Sequence, residues 1–264
     1  MNRSKLAALA RSEAAGQLAA CGDFSRGSDG AVDQAAQVNP SLHILVGDTA
    51  GTSGALDSQE FQAGAARIAG SRFKRAFDIV GSLVGLIVLS PLLVLVAAVI
   101  SIESPGNPLF RQRRSGFAGA PFVIYKFRTM RVSEDGTDVV QAQREDERIT
   151  RFGLLLRRTS VDELPQLLNV LKGDMSLVGP RPHALVHDND YGACIDGYGL
   201  RFQTKPGITG LAQVSGLRGP TPDVASMAAR VEKDLEYIRS WSMILDVSIV
   251  VRTAGIFAFH PSAY

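Results

Sequence analysis

Residues 79–102 read IVGSLVGLIVLSPLLVLVAAVISI, 24 positions without a charge, Asn, Gln or His. As a straight helix rising about 1.5 Å per residue, the stretch extends roughly 36 Å, against about 30 Å of bilayer hydrocarbon. Membrane insertion is therefore a better reading than a buried soluble helix. Ser90-Pro91 stands at the midpoint. Proline lacks an N–H and clashes with the preceding turn, so it kinks or breaks a helix. Membrane helices also carry prolines as simple kinks, and the flanks must decide. Arg67, Arg72, Lys74 and Arg75 precede the stretch, and Arg111, Arg113 and Arg114 follow it. Positive charge marks the cytoplasmic side, and here both ends carry it. A re-entrant helix-break-helix satisfies both flanks, each half reaching roughly 18 Å. The alternative is a single pass, which would put residues 103–264 on the opposite side.

Around this segment the chain divides into an extension (1–70), the membrane segment (71–103) and a soluble part (104–264). The whole has 264 residues, 45% hydrophobic and 20% charged, with a net charge of +2. That balance affords a core and excludes a uniformly basic coat, so no nucleic acid is expected as a partner. Cys21 and Cys194 are too few for a disulfide framework or a Cys-rich zinc site, and the four histidines show no H-E-x-x-H spacing. The extension is rich in Ala, Gly, Ser, Gln and Asp, with seven acids against four basic residues over 1–66. It reads as disordered, with one apolar patch at 42–46 as a candidate docking strand. No apolar run follows its basic start, so it does not read as a signal peptide.

In the soluble part, residues 122–128 (FVIYKFR) have the β-branched and aromatic character of a strand. Between Arg111 and Arg131 there are six cations (Arg111, Arg113, Arg114, Lys126, Arg128 and Arg131) and no acid. They suit a face on anionic headgroups or a phosphate site, and an active site facing a membrane needs both. Residues 144–148 read as a mixed-charge helical surface. Val231, Leu235 and Ile238 have helical spacing. Residues 241–259 are apolar but interrupted by Asp246 and Arg252. They suit an interfacial helix with Trp241 at headgroup depth, or a terminal helix packed on the core.

The densest stretch is residues 157–182, RRTSVDELPQLLNVLKGDMSLVGPRP. Leu164, Leu167, Leu168 and Leu171 fall at i, i+3, i+4 and i+7 and predict a helix with one buried face, stopped at Lys172-Gly173. Ser160-x-x-Glu163 matches a capping box, but Pro165 sits better if the cap is nearer Asp162. Either way Asp162 and Glu163 lie where free backbone amides stabilise anions and grip phosphate. Asp162 as a plain capping residue is the competing reading. A carboxylate can also attack phosphorus to form an acyl phosphate, while a second one holds Mg²⁺ and arginines neutralise the charge that builds up. Arg157, Arg181 and Arg218 are the candidate arginines, with Arg181 fixed between Pro180 and Pro182. Lys205-Pro206-Gly207-Ile208-Thr209-Gly210 reads as a type II turn.

Taken in order, Lys74-Arg75-x-x-Asp78, Ser90-Pro91, Tyr125-Lys126-Phe127-Arg128-Thr129-Met130, Asp162-Glu163-Leu164-Pro165-Gln166, Val178-Gly179-Pro180-Arg181-Pro182 and residues 205–210 resemble the bacterial sugar transferases, monotopic polyprenyl-phosphate hexose-1-phosphate transferases. The resemblance covers residues 72–264. It implies an α+β, mostly helical monotopic membrane protein, with a re-entrant helix broken at Ser90-Pro91 and a small strand region. It implies transfer of a sugar-1-phosphate from a UDP-sugar to undecaprenyl phosphate, with release of UMP and with Mg²⁺ as cofactor. It makes Asp162 the nucleophile and Glu163 the Mg²⁺ residue beside it. Lys126, Arg128, Arg157 and Arg218 become candidate substrate ligands, and Pro180-Arg181-Pro182 the uridine-contacting loop. In some members an arginine directly follows the Val-x-Gly of the later motif. Here Leu217 does, and Arg218 comes one later. His183-Ala184, Gly197-Tyr198 and Ala263-Tyr264 resemble the glucose-1-phosphate branch, so glucose is expected first, with galactose or an N-acetylhexosamine as alternatives. The implied location is the cytoplasmic face of the bacterial inner membrane, at the first membrane step of exopolysaccharide or other glycoconjugate synthesis. A non-catalytic membrane-associated adaptor, whose basic strand binds anionic lipid, is the reading from a different class.

Overall fold

The computed structural model describes residues 52–131, 148–219, 221 and 223–259. The apolar patch at 42–46 and most of the mixed-charge run at 144–148 lie outside them. The chain runs through α1 (Thr52–Gly70), α2 (Arg72–Glu103), the hairpin β1 (Leu109–Ser115) and β2 (Pro121–Phe127), and α3 (Arg151–Thr159). A 3₁₀ turn (Val161–Gln166) leads directly into α4 (Leu167–Lys172), followed by β3 (Ser176–Val178) and α5 (Leu185–Cys194). A second 3₁₀ turn (Tyr198–Gln203), β4 (Gly207–Thr209), α6 (Leu211–Val214), α7 (Val224–Ser240) and α8 (Met243–Phe259) complete it. Helices thus surround a small strand region, the α+β class expected from the sequence.

β1 and β2 pair antiparallel with Leu109 opposite Phe127, and β3 and β4 pair parallel with Ser176 opposite Gly207. The second pairing corrects the reading of residues 205–210 as a type II turn. Gly207 starts a strand, and a Cβ there would stand 2.1 Å from the Gly179 nitrogen. The glycine is needed for close approach of two backbones, which brings the Val-Gly-Pro-Arg-Pro and Lys-Pro-Gly-Ile-Thr-Gly motifs side by side.

Helix α2 keeps its helical assignment through Ser90-Pro91, with Pro91 inside it rather than in a separate loop between two helices. The physical reason is local. Pro91 leaves the Ile87 carbonyl without its backbone donor, and the Ser90 hydroxyl donates to that same carbonyl at 2.8 Å. One face of α2 is bare and apolar: Val80, Val84, Ile87, Val88, Val94 and Leu95 are all exposed. Its other face meets the rest of the protein at both ends. Near the start, Asp78 accepts from the Ser176 hydroxyl and the Leu177 amide, each at 2.9 Å. Arg75 donates to the Val170 and Leu171 carbonyls at 2.7 and 2.9 Å, closing the open end of α4. Lys74 is buried and pairs with Asp246 at 2.7 Å, while Tyr237 and Trp241 also donate to Asp246. Near the end, Val96 and Ile100 pack on Phe127 and Leu156.

Two other expectations are corrected. Residues 52–70, assigned by composition to a disordered extension, form α1. Phe61, Gly64, Ala65 and Ile68 make its buried stripe, and three of them join the main core with Val231, Leu235 and Ile238 of α7. Gly64 lets α1 touch α7, since a Cβ there would lie 2.1 Å from the Ile238 carbonyl oxygen. Trp241 is 8% exposed and Ile249 fully buried, so the turn into α8 packs on the core and Trp241 is not at a free surface. The opposite side of α8 still exposes Ile244, Val247 and Val251, a stripe at helical spacing.

Candidate active site

The acidic pair lies in the 3₁₀ turn between α3 and α4. Ser160, in the left-handed conformation at φ 53°, ends α3 and starts the turn. The expected α-helix from Asp162 onward is therefore tighter and shorter. A 3₁₀ turn winds three residues rather than 3.6, which shifts the phase of the leucines. Leu167 is buried while Leu168 is 39% exposed. Pro165 sits inside the 3₁₀ turn, before α4 begins. Asn169, fully buried, docks α4 on the edge of β2: it accepts from the Tyr125 amide at 3.0 Å and donates to the Val123 carbonyl at 2.6 Å. That seam sets the acids against Lys126 on β2.

Glu163 is held on both sides. Lys126 Nζ donates to Oε1 at 2.9 Å, and Arg181 forks onto the carboxylate at 2.9 Å (Oε2) and 2.5 Å (Oε1). Asp162 is 8% exposed, and among the described residues none hydrogen-bonds to its carboxylate. Burial and the adjacent Glu163 push the Asp162 carboxyl up to about 6, against the pull of Lys126, Arg157 and Arg181. Burial would also raise Glu163, but the Arg181 and Lys126 charges hold it well below the usual carboxylate range. Burial lowers the Lys126 ammonium, with Glu163 opposing. The pair is thus split: Glu163 is firmly anionic, and Asp162 is a more basic carboxylate, still mainly ionised at neutral pH. Such a group is a better nucleophile than an ordinary aspartate and is free to use its oxygens.

Lys126, Arg157, Asp162, Glu163 and Arg181 therefore converge. Arg218 is close by: its guanidinium donates to the Ser160 hydroxyl, and it lines, with Glu163, a cleft walled by Leu164, Ile208, Val214 and Ile256. Pro180 and Pro182 flank Arg181 in the loop after β3. Arg128 does not join the site, contrary to expectation. It donates to the Ser104 and Pro105 carbonyls at 2.7 and 2.8 Å and braces the chain leaving α2. Strand alternation would put Lys126 and Arg128 on one face, but β2 ends at Phe127, so Arg128 lies past the strand and leaves that face. Arg114, unremarked among the six cations, is a missed neighbour: its guanidinium is lowered to about 10 by burial and by Arg181. Ser90 and Pro91 are exposed on α2, and the Ser90 hydroxyl donates within that helix.

The sequence profile of the bacterial sugar transferase family matches residues 69–260. The chain belongs to the bacterial sugar transferases. Among curated relatives, a UDP-glucose:undecaprenyl-phosphate glucose-1-phosphate transferase of Caulobacter vibrioides is 54% identical over 198 residues, covering 75% of this chain and 74% of that protein. One of the same name from Escherichia coli is 51% identical over 191 residues, 72% of this chain and 41% of that protein. A UDP-N-acetylgalactosamine-undecaprenyl-phosphate N-acetylgalactosaminephosphotransferase of Aeromonas hydrophila is 41% identical over 180 residues, 68% and 42% of the two chains. This transferase thus spans about three-quarters of the Caulobacter relative and about two-fifths of the Escherichia one.

The site also bears on a metal. Among the described residues no group of three or more His, Cys, Asp and Glu gathers. Mg²⁺ commonly takes one or two carboxylates and fills its octahedron with water and substrate phosphate oxygens. The Asp162 carboxylate matches that small, hard donor set, whereas both Glu163 oxygens accept from Lys126 and Arg181, so Glu163 joins it only where the ion replaces part of that clamp.

Proposed function

We propose that this transferase moves a hexose-1-phosphate, glucose-1-phosphate first, from a UDP-sugar to undecaprenyl phosphate through an aspartyl-phosphosugar intermediate. The observation that carries the reading is the open Asp162 carboxylate, buried among Lys126, Arg157 and Arg181 beside a clamped Glu163. An Asp162 oxygen attacks the phosphorus that bears the sugar. The bond from that phosphorus to the bridging oxygen breaks, and UMP leaves with the bonding electrons. A phosphate oxygen of the lipid then attacks the same phosphorus, the acyl phosphate bond breaks, and Asp162 is regenerated as a carboxylate. Neither displacement needs a general acid, because each leaving group departs as an anion. Lys126, Arg157 and Arg181 offset the charge on the phosphoryl oxygens in both steps. Arg181 and its flanking prolines orient the nucleotide, and Arg218 faces the second phosphate. Mg²⁺, held by Asp162 and by a Glu163 oxygen released from its clamp, would add positive charge at those oxygens.

The lipid substrate sets the location. Both ends of α2 are held by one and the same body of protein, while its free face is apolar. A helix that left that body on one side of a bilayer could not rejoin it on the other. That favours a shallow α2 over a single pass, and we propose that it lies in the cytoplasmic leaflet of the inner membrane, with the acids at headgroup height and Arg111 and Arg113 toward anionic lipid. This keeps the monotopic reading, with Pro91 inside the helix at the centre of the apolar stretch.

The test is a screen of UMP release over UDP-sugars with undecaprenyl phosphate, paired with mass spectrometry after incubation with the donor alone. The expected result is release with UDP-glucose and a hexose-phosphate on Asp162. Release strictly dependent on the lipid, with no adduct, overturns the two-step scheme. The Aeromonas relative favours N-acetylgalactosamine as second donor to try.

A further inference from the structure

Arg181 and Arg218 reach the site from two loops that have little means of holding themselves. Prolines at 180 and 182 remove two of the amides in the first loop, so it must be fixed through its carbonyls. Gly207 donates to the Pro180 carbonyl at 2.9 Å. The Arg181 carbonyl accepts from Arg201 Nη2 at 2.7 Å. Arg201 is 2% exposed, and both terminal nitrogens of its guanidinium are engaged, while its buried Nε has no partner among the described residues. Nη2 also pairs with Asp234 at 2.7 Å, and Nη1 donates to His183 Nδ1 at 2.6 Å and to the Tyr198 hydroxyl at 3.0 Å. The loop from 181 to 183 is thus pinned at two points by one planar group. The second loop has a similar tie. Arg230, 6% exposed, donates from Nε to the Leu217 carbonyl at 3.0 Å and from Nη2 to the Gly219 carbonyl at 2.6 Å, one on each side of Arg218.

Arg230 and Asp234 are one turn apart on α7, on one face of that helix. Both lie outside the motifs that identify the family site, and neither touches Asp162 or Glu163. We infer that α7 is a positioning bar for both arginine loops: Asp234 through Arg201 sets Arg181, and Arg230 sets Arg218. A buried Arg–Asp pair is weak as a source of stability, because desolvation offsets most of its attraction. Its hydrogen bonds to loop carbonyls, in contrast, impose direction on whatever side chain those loops present. Lysine keeps the charge at either position but cannot reach two acceptors in a fixed fork.

The inference rests on the proposed roles of Arg181 and Arg218, and the experiment separates the two. R201K and R230K are made in the wild-type, R181A and R218A backgrounds, and UMP release is measured. Each brace variant is expected to lower kcat/KM at least tenfold in the wild-type background. R201K should cost less than threefold once Arg181 is gone, yet keep its tenfold loss in R218A. R230K should show the mirror image. Coupling confined to the matched pairs is what positioning requires, whereas a general loss of structure acts alike in every background. Equal losses in matched and crossed pairs overturn the inference. Hydrogen exchange gives the readout that does not depend on activity. R201K should speed exchange around residue 183 and not at 217–219, and R230K the reverse. If R181A and R218A are themselves fully active, the substrate roles fall, and the local exchange pattern alone decides for or against the bracing. D234N, which removes the counter-charge without changing volume, takes the place of R201K should that variant not fold.

Discussion

Replacing Asp162 by Asn is expected to abolish transfer and, at neutral pH, to stabilise the protein. Burial and Glu163 hold the Asp162 carboxyl at about 6 in the fold, against an ordinary value of 3.8. That difference already includes the opposing pull of Lys126, Arg157 and Arg181. At about 1.4 kcal/mol per pH unit it makes the ionised carboxylate cost the folded state about 3 kcal/mol. The folded value lies above the unfolded one, so the cost is absent below pH 3.8, grows as pH rises towards 6 and is constant above. Asparagine never ionises and escapes it. The advantage of D162N should therefore be small near pH 4 and reach about 3 kcal/mol at pH 8, or roughly 6–12 °C in Tm for a chain of this size. Thermal unfolding in nanodiscs at pH 5, 6, 7 and 8 measures it, alongside UMP release. An advantage that does not change between pH 5 and pH 8 refutes the assignment of a burial-raised carboxyl. Turnover above a few per cent of wild type refutes its role as nucleophile.

Other outcomes follow from the same geometry. The pH dependence of kcat/KM should show an acid limb near 6, with activity rising as Asp162 ionises, and a limb near 4 would place the ordinary carboxylate value in the site. Lys74→Met leaves Asp246 buried without its cation and should cost about 3–5 kcal/mol in denaturant unfolding, much of it recovered in the double variant with Asp246→Leu. Single cysteines near Arg72 and Arg113 should both react with impermeant reagent from the cytoplasmic side only, and opposite-side labelling would restore the single pass.

Much of the site is legible in the sequence because its chemistry is local. Asp162 and Glu163 are adjacent, Lys126 sits in a recognisable strand, and the prolines around Arg181 mark a rigid loop. What escapes is decided by partners far along the chain. Lys126 and Arg128 look equivalent in the text, and only the end of β2 sends one to Glu163 and the other to the Ser104 carbonyl. Asn169 reads as an ordinary helix residue, yet its amide completes the free edge of a strand 44 residues away. The stripe Phe61, Gly64, Ala65, Ile68 has helical spacing, but a glycine and an alanine carry half of it, so composition hides it. Residues 205–210 contain Pro-Gly, the commonest sign of a turn, because close packing and tight turning ask for the same residue.

The Lys-Arg-x-x-Asp motif at the start of α2 makes sense when the proposed anchor and the proposed nucleophile are considered together. Arg75 ties α2 to the last carbonyls of α4, and Gly85 lies where a Cβ would meet Leu167 at 3.2 Å. Further on, Val96 and Ile100 pack against Leu156 of α3, with Val161 beside them. The 3₁₀ turn carrying Asp162 is thus suspended between two helices that both rest on α2. Lys74 and Asp78 fix the same helix to α8 and β3 through buried bonds. On the proposed mechanism the protein meets a phosphate fixed at one depth in a membrane and has to control the height of its own nucleophile. Hydrogen bonds to side chains on flexible loops would transmit that height poorly, whereas direct packing of α3 and α4 on the anchoring helix transmits it within the stiffness of a close-packed interior. The basic residues at the head of α2 are therefore better understood as the joint between anchor and catalytic turn than as a topology signal alone.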